Sequence, residues 1–136
     1  MHTINNALLD ALHIEPTGVP IYVQLREQLL GAMGAGLLRP GDQIPTMRQV
    51  AVALRVDLNT VRHAYDDLEK LGAVRLERGR GTFVAQPPAP AHPDAQAEAA
   101  DRLARQTLAK AKAAGVTTDL LLQRIAALAA QKEDLR

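Results

Sequence analysis

The chain contains no cysteine and no serine, and each absence removes a class of chemistry. Without cysteine there is no disulfide, no thiolate zinc site and no thiol redox sensor. Without serine a common hydroxyl nucleophile is missing, and His2, His13, His63 and His92 fall in unrelated segments that lack metal-ligand spacing. No catalysis, metal or cofactor is therefore expected. Aromatic residues make up only 2 % of the sequence, so the core must be aliphatic. No apolar run approaches the roughly twenty residues needed to span a bilayer. Met1 to Leu12 lacks the basic leader and cleavage pattern of a secretory signal, which makes the cytoplasm the expected compartment.

With 136 residues the chain can build one compact domain and an accessory element, but not a second domain with a large core of its own. The formal net charge of +1 argues by itself against a nucleic-acid partner. Charge grouped on one face matters more than the average, and the stretch from Pro45 to Val84 supplies such a grouping.

Thr46-Met47-Arg48-Gln49 reads as a capping box, with Thr46 as N-cap of a helix little longer than two turns whose stripe is Val50, Ala51, Ala53 and Leu54. Asp57 can cap the next helix, in which Val61, Ala64, Tyr65, Leu68 and Leu71 share one side and Gly72 ends the run. Asn59, Arg62, His63 and Asp66 share the other side, and arginine and asparagine are the side chains that pair two-pronged with guanine and adenine. After Gly72 the period changes to two. Val74 and Leu76 alternate with Arg75 and Glu77, and Arg78-Gly79-Arg80-Gly81 leads into Thr82-Phe83-Val84. This predicts a hairpin with a cationic tip whose glycines let the backbone approach a phosphate or a minor groove. Two helices followed by such a hairpin make a winged helix-turn-helix, a fold that reads duplex DNA.

The Pro-Gly-Asp turn at 40–42, Ile44-Pro45-Thr46 with Arg48, Thr60-Val61-Arg62 and Gly79-Arg80-Gly81-Thr82-Phe83-Val84 occur in the order and spacing of GntR-family bacterial transcription regulators. The segment 18–86 resembles their DNA-binding domain. The resemblance implies a regulator that represses from an inverted-repeat operator, with Arg48 and Arg62 at positions that contact DNA and Gly79 and Arg80 in the wing. Asp57-Leu58 stands where most of the family carries a serine-arginine pair, which removes one base-reading arginine and is similar instead to the short YtrA-type branch. The residues expected to meet DNA are Thr46, Arg48, Asn59, Thr60, Arg62, His63, Arg75, Arg78, Gly79, Arg80 and Gly81. His63 ranks below Arg62 because a lone histidine serves equally well as surface filler.

Upstream, Pro20 opens a helix through about Gly34 with Ile21, Leu25, Leu29 and Met33 as its stripe, and 42–44 form a short extended piece able to pair with the wing. Leu8, Leu9, Leu12 and Ile14 in the segment 1–17 call for an apolar partner, in this chain or another. Downstream, 87–93 read as a proline-rich linker and 94–136 as a helical tail. Ala97 to Ala114 forms one helix of that tail, closed by Gly115, and a second is capped by Thr117 or Thr118. Two such helices cannot enclose a core, so Leu103, Leu108, Leu121, Ile125 and Leu128 are expected to dimerise the chain. The architecture expected is α+β and mainly helical: an N-terminal winged helix-turn-helix followed by a two-helix C-terminal dimerisation tail. The partners are operator DNA and a second copy, with room for a small-molecule effector at the dimer interface and no membrane.

Tyr65 is read as a core residue whose hydroxyl finds a polar partner, Phe83 as a wing anchor, and Asp66, Asp67 and Glu69 as a solvated acidic face. Gly79 and Gly81 do not make a nucleotide loop, because the third glycine is missing and a strand follows. The alternatives are a non-specific architectural DNA binder or a protein-interaction module. The first should be more basic overall, and the second should be apolar over 59–66.

Overall fold

The computed structural model describes residues 2–86 and 92–134, with side chains over 7–86 and 92–131. The described residues form α1 (His2–Ala11), α2 (Ile21–Gly34), β1 (Gln43–Ile44), α3 (Met47–Leu54), α4 (Leu58–Lys70), β2 (Val74–Glu77), β3 (Gly81–Val84), α5 (Pro93–Ala113) and α6 (Thr118–Asp134). Two compact units divide after Gln86.

In the first unit the capping box expected at Thr46 is complete. Thr46 Oγ1 accepts the Gln49 N–H at 3.1 Å, and Gln49 Oε1 accepts the Thr46 N–H at 2.8 Å. Arg55 ends α3 in the left-handed region at φ 55°, returning its N–H to Ala51 and Val52. Asp57 then caps α4 by accepting the Asn59 N–H at 3.0 Å. Leu25 and Leu29 of α2, Val50 of α3 and Val61, Ala64 and Leu68 of α4 have no exposure, so the three helices share one aliphatic core. Leu71 departs from its expected place. It follows the last turn of α4, beyond the elements that cover the helix, and is exposed. Ala53 is likewise exposed.

The sheet has the order β1-β3-β2 and is antiparallel throughout. Its register places Ile44 and Leu76 on either side of Thr82, and Gln43 and Arg75 on either side of Phe83. Ile44, Val74, Thr82 and Val84 face the core and are buried, whereas Gln43, Arg75, Glu77 and Phe83 fall on the outer face. Phe83, expected as a wing anchor, is partly buried on this outer face of the wing. Arg39-Pro40-Gly41-Asp42 makes the turn into β1, with Gly41 at φ 89° as a type II turn requires and the Asp42 N–H returning to the Arg39 carbonyl at 3.0 Å.

The N-terminal segment docks on its own chain. Leu8 and Leu12 are buried in the same core, with Leu9 and Ile14 packed against it. Two α2 glutamines hold the irregular segment that follows α1. The Gln28 amide exchanges hydrogen bonds with the backbone of His13, at 3.1 and 2.7 Å, and Gln24 does the same with Glu15, at 2.8 and 3.1 Å.

In the second unit α5 begins earlier than the sequence suggests. Pro93, read as linker, is its first residue, a position where a missing N–H costs nothing. Residues 87–91 of that linker lie outside the described residues. Gly115, at φ 75°, ends α5, and Thr117 Oγ1 caps α6 by accepting the Leu120 N–H at 3.2 Å. Ala111 is buried and Leu108 and Leu121 are partly buried, while Leu103 is 65 % exposed and Ile125 and Leu128 remain open.

Candidate nucleic-acid interface

The expected contact residues occupy three places. At the first, the N-cap of α3 and the hairpin tip line one open groove of about 450 Å³, formed by Thr46, Leu76 and residues 77–81. Leu76 points to the core side of the sheet but lies past the helical layer, so it stays half exposed in this groove. Arg48, the second residue of α3, is exposed and lines a neighbouring groove with Gln49 and Val52.

The second place is the outward side of α4. Arg62 Nη1 donates to Asn59 Oδ1 at 2.7 Å, so these two candidates form one unit rather than two independent readers. Thr60 beside them is partly buried. His63 is drawn elsewhere. Its ring stacks on Tyr22 of α2, with centroids 3.6 Å apart and an interplanar angle of 11°, and its Nε2 lies 3.8 Å from Asp67 Oδ1. Asp67 is not part of a solvated acidic face. It is largely buried and accepts from Arg26 Nη1 at 2.8 Å, joining α4 to α2, and this bond holds the Arg26 guanidinium above its usual pKa against the opposing effect of burial. Asp66 and Glu69 are exposed, as expected.

The third place is the hairpin. Gly79, at φ 75°, supplies the turn, and the Arg80 N–H closes it on the Glu77 carbonyl at 3.0 Å. Gly81 is also at positive φ, 128°, a backbone conformation in which an L side chain is strained. A Cβ there would come within 2.5 Å of Gln43 Nε2, which donates to the Arg80 carbonyl at 3.1 Å and ties the tip to β1. Arg75 and Arg80 both pair with Glu77, and the Arg80 guanidinium lies 5.8 Å from the centre of the Phe83 ring. Arg78 makes no ion pair or hydrogen bond among the described residues. Sequence reasoning missed the Tyr22–His63 stack and the central place of Glu77. The spacing of Glu77 from its two arginines across a tight turn was the available signal for the latter.

Beneath these surfaces the Tyr65 hydroxyl donates to the Pro45 carbonyl, fixing the segment that leads into α3. Burial pushes the Tyr65 phenol pKa up. Among the described residues no group of His, Asp or Glu could hold a metal ion, and no helix is long and apolar enough to cross a membrane.

Residues 21–84 match the bacterial regulatory proteins of the gntR family. An uncharacterised HTH-type transcriptional regulator of Bacillus subtilis, YhcF, is 33 % identical over 110 residues, covering 78 % of this chain and 87 % of its own. The chain belongs to the GntR family. It is also 36 % identical over 76 residues to the HTH-type transcriptional repressor YtrA of B. subtilis, a match that takes in 55 % of this chain and 58 % of that protein. Among solved structures, the GntR-family factor YtrA from Sulfolobus acidocaldarius aligns with a TM-score of 0.55 at 26 % identity, over 72 % of this chain and 97 % of its own. This GntR chain is a DNA-binding transcription regulator and not an enzyme.

Proposed function

We propose that the chain is a repressor that binds an inverted-repeat operator as a homodimer. The α4 unit of Asn59 and Arg62 would read base edges. Thr46, Arg48, Thr60 and the hairpin residues Arg75, Arg78, Gly79, Arg80 and Gly81 would hold the duplex backbone, and His63, anchored by Tyr22, would offer only its free edge. The carrying observation is the exposed Asn59–Arg62 pair on a helix whose opposite side is wholly buried. That face is polar, which counts against a protein-interaction module.

Two copies are needed because one winged helix touches too few base pairs to single out an operator. The exposed Leu103, Ile125 and Leu128, and the partly buried Leu108 and Leu121 beside them, provide an apolar face for a second copy. Repression is supported by the name of the YtrA relative. The test is an anisotropy titration against the chain's own promoter and a shuffled duplex at several salt concentrations. A preference of about a thousandfold or more supports the reading. Equal, steeply salt-dependent binding to both would favour an architectural DNA binder.

A further inference from the structure

Glu77 sits at the centre of the basic hairpin and engages two of its three arginines. Its Oε1 accepts from Nε of Arg75 at 3.1 Å and lies 2.9 Å from Nη2, while its Oε2 lies 3.3 Å from Nη1 of Arg80. Both carboxylate oxygens are therefore taken, each by a different guanidinium. Arg75 and Arg80 are half or more exposed and Glu77 is mostly covered, so the carboxylate lies behind its two cations. A guanidinium binds a carboxylate and a phosphate by the same charge-assisted fork. The partner that DNA would offer these arginines is thus one they already have.

We propose that Glu77 is an internal competitor for the DNA backbone. It occupies Arg75 and Arg80 in the free protein, and duplex binding exchanges one anion for another at both side chains. Only Arg78 meets a phosphate without such an exchange. The hairpin then contributes a net charge of two rather than three, and more of the binding falls to the base-reading face of α4. The inference rests on the hairpin being a DNA contact.

The test uses the full-length protein and a duplex of random sequence, so that it does not depend on knowing the operator. Glu77→Gln keeps the size of the side chain and removes its charge. The logarithm of affinity falls by about 0.9 per neutralised phosphate for each tenfold rise in salt. Removing the competing anion should steepen that dependence by about 0.9 and tighten binding about fivefold near 0.15 M salt. The gain should vanish when Arg75→Ala and Arg80→Ala are already present, and Glu98→Gln on the exposed side of α5 should not reproduce it. Weaker binding by Glu77→Gln would overturn the proposal, because Glu77 would then be a brace that holds the arginines in place. A gain equal to that of Glu98→Gln, or one that survives loss of both arginines, would overturn it as a bulk charge effect. If Arg75→Ala and Arg80→Ala leave duplex affinity unchanged, those two arginines are no DNA contacts and the proposal falls, while the reading of the hairpin as a DNA contact falls with it only if Arg78→Ala also leaves affinity unchanged.

Discussion

Arg62 and Asn59 meet across one turn of α4, and the Asn59 carboxamide oxygen that accepts from Arg62 keeps a second lone pair, so the two form one polar surface. Arg62→Ala should therefore cost about 1–3 kcal/mol at the operator and relax its sequence preference, read as separate affinities for operator and shuffled duplex. An equal loss on both would assign Arg62 to the backbone instead. Beneath the interface, Tyr65→Phe leaves the Pro45 carbonyl without its donor and should lower stability by about 1–2 kcal/mol in urea. The sign of the pH dependence follows from burial. The unfolded phenol loses its proton near its ordinary value of about 10, whereas the folded one holds its proton to higher pH. The unfolded state thus binds fewer protons above about pH 10, and the stability due to Tyr65 is lost as pH rises. The gap between wild type and Tyr65→Phe should narrow there by up to about 1.4 kcal/mol per pH unit. Tyr65 was legible in the sequence because its spacing on α4 is that of the core. Asp67 and His63 were not, because their partners Arg26 and Tyr22 lie some forty residues away on α2, a pairing that no local pattern records.

Caps and turns carried the most information at the level of elements. Thr46, Asp57, Gly72 and Gly115 all stand where their chemistry places them, because capping acts through bonds a few residues long. Thr46→Ala should remove the bond from the Gln49 N–H to Thr46 Oγ1, leaving the Thr46 N–H on Gln49 Oε1, and lower stability by about 1 kcal/mol in urea unfolding. Gly81→Ala should strain the backbone, which sits at φ 128°, and push aside the Gln43 amide that ties the hairpin to β1, at a cost of about 1–3 kcal/mol. The same measurement reads it, and hydrogen exchange at the hairpin should quicken. Faces at element ends were less legible. Leu71 and Leu76 have the right period for the core yet outrun the elements that would cover them, and Phe83 takes the outer face because the register with Gln43 and Arg75 leaves it no other.

For the whole molecule, the first unit encloses its own core and should fold alone, whereas the second leaves most of the leucines among its described residues exposed. A chain ending at Gln86 should sediment as a folded monomer and lose most operator affinity, since the second half-site is no longer tethered to the first. A truncated chain that still sediments as a dimer would remove the tail from that role. The N-terminal segment could not be placed from sequence alone, since an apolar stripe does not name its partner. Leu8 and Leu12 find theirs in the core of the first unit. The most direct test of the central claim is selection of duplexes from a random pool by the full-length protein, followed by sequencing. An enriched inverted repeat is expected, with half-site centres about 34–36 Å apart, or a multiple of that, which Arg62→Ala no longer selects. A pool with no common motif, or a single half-site without its mirror image, would contradict it.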